Sequence, residues 1–440
     1  MKKWESSHMA PFGFTPDGDS GDDGKEPDLA AMMKAMQEQM QAQLANIFPG
    51  GVFGAATNRE PLPQATVRES AKKFVSSQGM APLGTKDLAV IDSAFQIAEV
   101  WLNEATSFPA TISGDKASSR ADWVDTTLQG WQRTMEPLAA GLAAAISELL
   151  DQAVAEQGMG DEAAQAPIEM MTTLLRGFIG TMIATQLGQS IGVLATEVTG
   201  THDVGLPLLD PARPLLIPEN IEKWAQELEI PKSETYIFHA LREGAVARLF
   251  AHNPWLVSYI QSAISEYGKG IHIDIDAIQR QAEQAFEGMQ SDGFQNGIPE
   301  NSFTLNLDSG VFTPEDSPAQ KIALAKLETV LALIEGWADE VTTLAAGDRI
   351  PSIELLRETL RRRRATSAPA EKLFSTMLGV HVSPKISREA SAFWGKIREL
   401  HSVEKRDQIW GGLLPTAEDL TSPEKFISTT QIPDDLSGLL

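Results

Sequence analysis

The segment FHALREGAVARLF, residues 238–250, brings a His, an Arg and a Glu onto successive turns of one helix. A zinc hydrolase of the HExxH type needs two imidazoles four residues apart, so that both rings meet one metal from one helix face. The Glu after the first His then polarises the metal-bound water. Aligned on Glu243, the two ligand positions hold Arg242 and Val246. A guanidinium stays protonated and a valine has no lone pair, so neither can ligate. The motif keeps its acid–base carboxylate and has neither metal-binding nitrogen.

A shifted site is geometrically open. His239 and Glu243 lie four residues apart and share a face, offering one nitrogen and one oxygen ligand. Glu335 or His252 would supply a third, although Glu243 as a ligand is lost as a base. The plainer reading is a His–Glu hydrogen bond along the helix. Elsewhere, GQSIG (188–192) matches the nucleophile-elbow pattern, with Ser190 as nucleophile and His202, Asp210 and His239 downstream. That motif requires a strand, a strained turn and a helix, whereas the surrounding residues read as continuous helix. The run RRRR (361–364) reads as a solvated helix end, its cations complementing the helix dipole.

The elements that must position these residues are helices. The segment at 233–251 opens with Pro231 and Ser233, the serine as N-cap and Glu234 beside the positive helix end. A second helix, 318–346, is capped by Ser317, with Pro318 at its first position and Gln320 completing a capping box. Its apolar stripe is Leu327, Val330, Leu331, Ile334, Trp337, Val341 and Leu344. Glu335 flanks that stripe and needs a partner, a proton or a metal if half-buried. Further helical periodicity covers 86–106, 119–157, 165–199, 219–229, 254–268, 274–290, 352–364, 369–378 and 386–401. Only FTLNLD (303–308) and LLI (215–217) read as extended. The fold class is mainly α, a large helical domain with at most a few short strands.

Composition narrows the chemistry. The 440 residues include no Cys, so thiol chemistry and Cys-ligated zinc are excluded, and a metal must use the seven His and the carboxylates. A formal net charge of −24 repels phosphate backbones, so nucleic acid is not an expected partner. The basic start MKKWESSHMAPFGF is followed by no apolar run, which makes the cytoplasm the expected location. The uncharged stretch 177–196 approaches the length of a membrane span but carries Gln186, Gln189, Ser190 and three Thr. It reads as a buried soluble helix, with Gly188 and Gly192 admitting a close neighbour. The expected organisation is an acidic, disordered arm (1–28), a Met-rich amphipathic helix and linker (29–64), the helical domain (65–430) and a tail (431–440).

Long stretches of the chain carry a family resemblance: SRADWVDTTLQGWQRTMEPL (119–138), QLGQSIGVLATEV, GLPLLDPARPLLIPENI, REGAVARLFAHNPWL (242–256), AQKIALAKLETVLALIEGWADEV (319–341), LRRRRATSAPAEKLFSTMLGV (360–380), FWGKIREL (393–400) and RDQIWGGLLPTAEDL (406–420). In this order they resemble the zincin-like metallopeptidase type 2 family. The resemblance implies a zincin-like helical domain whose members carry HExxH or Arg-Glu-x-x-His, with a further carboxylate from a later helix. It puts Glu243 at the general-base position, now vestigial, and Arg242 and Val246 at the ligand positions, now filling the site. Glu335 becomes the downstream carboxylate. Two expectations follow: a zinc-free, non-catalytic scaffold that binds a protein or peptide without a cofactor, or a zinc-dependent hydrolase using His239, Glu243 and Glu335. The first implies that Arg242 pairs with Glu335, a fixed cation in place of a metal.

Overall fold

A computed structural model describes residues 62–156, 177–273, 312–314, 317–367, 371–373 and 384–430, apart from isolated positions within those ranges. The acidic segment 15–28, the methionine stripe at 29–47, FTLNLD, the periodic segment 274–290 and the tail 431–440 lie outside them.

The described helices are α1 (Gln64–Ser77), α2 (Thr85–Ala105), α3 (Arg120–Glu156), α4 (183–195), α5 (Pro218–Ala225), α6 (Lys232–His252), α7 (Trp255–Gly268), α8 (Pro318–Ala346), α9 (Ile353–Ser367), α10 (Pro384–Leu400), α11 (Val403–Gln408) and α12 (Pro423–Thr430). The fold is mainly α. Strands β1 (Ile271–Ile273) and β2 (Phe312–Pro314) form one antiparallel pair with His272 opposite Thr313. At three residues each they are too short to show an alternating pattern. The extended LLI segment is present: Leu216 bridges both Ala117 and Gly200.

Helix α1 was not among the periodic segments. It buries only Val67, Ala71 and Val75, a thin apolar stripe of small side chains. It packs on α4 because Gly188 lets it in: a Cβ there would lie 2.5 Å from the Val67 carbonyl oxygen. Among the described residues no helix is long and apolar enough to cross a membrane.

Helix α6 is central. From Thr235 to Phe250 every residue but Ile237 is buried, so this helix has no solvated face. A helix covered on all sides must find partners for its charges. Arg248 finds the carbonyls of Phe108 and Glu99, at 3.1 and 3.2 Å. The cap falls two residues earlier than expected, at Pro231 rather than Ser233. Glu234 accepts from the Ser352 N–H at 3.0 Å, tying this end to the start of α9.

Helix α8 runs beside α6 and buries the expected stripe from Leu327 to Val341, while Leu344 is half-buried. Ser317 caps it, accepting from the Gln320 N–H at 3.3 Å. The Gln320 side chain donates to the Tyr267 carbonyl on α7 at 3.2 Å, joining two helices. Farther along α8, Trp410 stacks on Trp394 and meets Trp337 edge-on, and Asp407 accepts from Trp337 Nε1 at 2.9 Å and Thr106 Oγ1 at 2.7 Å. These contacts anchor α8, which together with α6 carries the candidate chemistry.

Candidate functional site

Positions 239, 242, 243 and 246 occupy consecutive turns of α6 and border one cavity of about 340 Å³, which Asp203, Glu335 and Arg364 also line. The opposite wall is the 199–217 segment. It is held to the body by Leu216 N donating to the Lys116 carbonyl and Ser118 N donating to the Leu216 carbonyl, both at 2.8 Å, and its two ends are tied together by Ile217 N donating to the Thr199 carbonyl at 2.9 Å.

Glu243 faces that wall and is saturated. Its oxygens accept from the Thr201 N–H at 3.1 Å, the His202 N–H at 3.0 Å, the Leu215 N–H at 3.1 Å and His202 Nδ1 at 2.8 Å. A carboxylate has about four acceptor positions, so little capacity remains for a metal-bound water. The approach is close enough to need glycine at the wall, since a Cβ on Gly200 would lie 2.4 Å from Glu243 Oε2.

His239 does not bond Glu243, as the helix spacing suggested; the imidazole on Glu243 is His202. His239 Nδ1 lies 3.1 Å from Thr199 Oγ1, and that hydroxyl donates to Asp203 Oδ2 at 3.1 Å. With the hydroxyl proton committed, Nδ1 must carry the ring proton and Nε2 the lone pair. The ring is 3% exposed. Burial pulls its pKa down to about 3, against the pull of Asp203 and reinforced by Arg242, Arg363 and Arg364. His239 Nε2 and His202 Nε2 have no hydrogen-bond partner among the described residues.

Arg242 Nη2 donates to both oxygens of Glu335, at 2.7 and 2.8 Å, the pairing expected from the motif's missing nitrogen. A second guanidinium joins from α9: Arg364 also donates to Glu335 and reaches Asp203 Oδ1 at 2.7 Å. Burial alone would raise the Asp203 carboxyl, but Arg364 and the Thr199 N–H hold it below the usual range. Beside them Asp339 takes a fork from Arg357, Nε at 3.1 Å and Nη2 at 3.0 Å, with Arg361 Nη2 at 2.9 Å and Ser391 Oγ at 2.8 Å. Burial would raise this carboxyl too, and the hydrogen bond and charge of Arg357 outweigh it. Val246 is 5% exposed and belongs to the core.

The arginine run is not a solvated helix end. Helix α9 continues to Ser367, and three of the four side chains bind the body: Arg361 to Asp339, Arg363 to the Trp224 carbonyl at 2.7 Å, and Arg364 to Glu335 and Asp203. Arg362 matches the expectation, pairing locally with Glu358, and Arg363 matches it in part, staying exposed while it bonds the Trp224 carbonyl. At 3.6 residues per turn, four successive residues sweep most of a helix's circumference, so one at least must face inward. The signal was the spacing of Arg357, Arg361 and Arg364, four and then three, which puts them on one face. Asp203 is missed as a site residue, and His202 reads only as a downstream partner of Ser190 and not as the imidazole on Glu243, because both lie on a short turn without periodicity.

The remaining candidates are elsewhere. Ser190 sits within α4, with no strand and turn before it, and Asp210 pairs at the surface with Arg133 at 2.8 Å. His252 is exposed, stacks on Phe108 and bonds the Pro109 carbonyl at 3.2 Å. Among the described residues no three His, Asp or Glu side chains are grouped to hold a metal ion.

A model of the family described as zincin-like metallopeptidase matches residues 64–427. A crystal structure described as a "putative hydrolase with a novel fold", from Chloroflexus aurantiacus, superposes with a TM-score of 0.56 at 14% identity. The match covers 84% of this chain and 98% of that one, and at this identity it speaks for the fold alone. No curated protein matches the chain.

Proposed function

The chain belongs to the zincin-like metallopeptidase family, and we propose that it is a member in which an internal cation has replaced the metal, leaving a scaffold that binds a protein or peptide without cleaving it. The observation that carries this reading is Arg242: it stands at the first ligand position of the motif and is paired with the carboxylate of Glu335. A guanidinium at that place supplies the positive charge a zinc ion would otherwise bring to Glu335. Two further features support it. Val246 offers no lone pair, and the four donors on Glu243 occupy the oxygens a general base would use. The residues present therefore do not fit a zinc ion of the HExxH kind.

Elemental analysis of the purified protein tests the proposal. Metal far below one equivalent is the expected result. Stoichiometric zinc that disappears in Glu243→Ala or Glu335→Ala would overturn it.

One observation favours a second reading, a hydrolase with a rearranged site at His239, Glu243 and Glu335. His239 Nε2 is a neutral, unpartnered nitrogen on a residue that borders the cavity. This reading requires chelator-sensitive peptide hydrolysis that His239→Ala abolishes. Hydrolysis that survives both treatments, or none at all, removes it.

A further inference from the structure

Helix α9 roofs the cavity, and its arginines fasten the roof. Arg361 reaches Asp339, while Arg364 reaches Asp203 and Glu335. Their carboxylate partners come from other elements, the 201–204 turn and α8. The acidic floor thus belongs to the body of the protein, and α9 is its occupant. His239, whose Nε2 is a buried acceptor without a partner among the described residues, borders the same cavity. Floor and acceptor together are built to receive N–H donors on cations.

We propose that this floor is the binding site for an arginine-bearing segment of a partner protein, with Arg361 and Arg364 of α9 as an internal stand-in that the partner displaces. The inference rests on the reading of the site as a non-catalytic binding cleft. The cleft selects guanidinium over ammonium through geometry. Asp339 already shows the mode, taking Arg357 through two parallel N–H donors, which a lysine cannot supply. A chain with a formal net charge of −24 also draws cationic partners to its surface. Arg361 and Arg364 are three residues apart on one helical face, so the fitting partner carries arginines at i and i+3 on a helix. Because α9 is tethered, it competes at high effective concentration, and the intact protein binds such a segment weakly.

The test is calorimetric titration of wild type and of Arg361→Ala/Arg364→Ala with three peptides. Each has the same neutral, helix-favouring sequence with Arg, Lys or Ala at both i and i+3. Removing the tethered competitor is expected to tighten binding of the Arg peptide about tenfold or more. The Lys peptide is expected to bind the variant about fivefold more weakly than the Arg peptide. If the double variant does not fold, Arg361→Ala alone takes its place, because Asp339 keeps Arg357 and Ser391 there; the same order of affinities is expected. Equal binding by wild type and variant, or equal binding of Arg and Lys peptides, overturns the inference. Zinc analysis of the same samples separates the two failures. Stoichiometric zinc sinks the reading of the site, whereas zinc-free protein without arginine-dependent binding sinks this inference alone.

Discussion

Arg242 and Glu335, 93 residues apart on α6 and α8, share one ion pair in which a single guanidinium nitrogen lies 2.7 and 2.8 Å from the two carboxylate oxygens. The side chains are 9% and 21% exposed, so the pair is largely shielded from solvent. Breaking one partner of a buried pair leaves the other charged and unmatched. Arg242→Ala should therefore cost about 3 kcal/mol, the lower end of that class, because Arg364 still neutralises Glu335. Lys232→Ala, which removes a pair exposed at 75% and 51%, should cost less than about 1 kcal/mol. Urea unfolding of the two variants checks the contrast. Equal costs would mean that the α6–α8 pair is no firmer than a surface one.

Glu243 offers a sharper separation between structure and catalysis. As a staple for the 199–217 wall it satisfies three backbone N–H groups and one imidazole. Glu243→Ala strands all four, and an expected loss of about 3–5 kcal/mol follows from the desolvation of unmatched buried donors. Glu243→Gln keeps one acceptor oxygen but points an NH₂ at a donor, so it should fall between. A residue retained only as a base would leave stability within about 0.5 kcal/mol in both variants. Gly200→Ala should mimic part of the damage with Glu243 itself unchanged, since the added Cβ would strike Glu243 Oε2 and push the carboxylate from its donors.

The helical class and the two helices that carry the site were legible because each shows a long apolar period and, for α8, a serine cap. The Arg242–Glu335 pair was legible for a different reason: two charges on buried helices cannot remain unmatched, and a motif aligned on Glu243 says where the cation stands. What escaped was everything that depends on which face turns inward. Arg364 looked like one of four equivalent solvated cations, although its spacing from Arg357 and Arg361 marked a common face. His202 and Asp203 lie on a four-residue turn with no periodicity. Their roles arise from tertiary contacts across about forty residues, His202 with Glu243 and Asp203, through Thr199, with His239. Helix α1 escaped because small residues make a faint stripe.

Acid should loosen the protein through His239 before it does so through the carboxylates. The folded ring has a pKa near 3, against an ordinary value of 6.5. Between these values the unfolded chain binds a proton that the folded chain refuses, so stability falls as pH drops through that window. The slope from this one group approaches about 1.4 kcal/mol per pH unit well below 6.5. Asp339, held low by Arg357, contributes stability present above the unfolded value of 3.8 and lost as pH falls further. His239→Asn should therefore flatten unfolding free energy between pH 6.5 and about 4.5 while leaving the steeper loss at lower pH. Parallel profiles for wild type and variant would show that the ring takes up its proton in the folded state.

If the missing imidazoles alone keep zinc from this scaffold, restoring them should bring it back. Positions 242 and 246 are one turn apart on α6, both border the cavity, and Glu335 stands within reach of the first. Arg242→His/Val246→His supplies two nitrogens and at the same time releases Glu335 from one of its two guanidiniums. The double variant should hold about one zinc after dialysis, with two His and a carboxylate as ligands. Adding Arg364→Ala should tighten it further, because Glu335 is then free of both competing cations. Peptide hydrolysis should not follow, since Glu243 remains engaged with the wall and cannot activate a metal-bound water. Elemental analysis and a peptidase assay on the same samples read the two halves separately. A folded double variant without zinc would show that more than the ligand pair has been lost, and zinc accompanied by turnover would show that the grip on Glu243 yields once a metal is present.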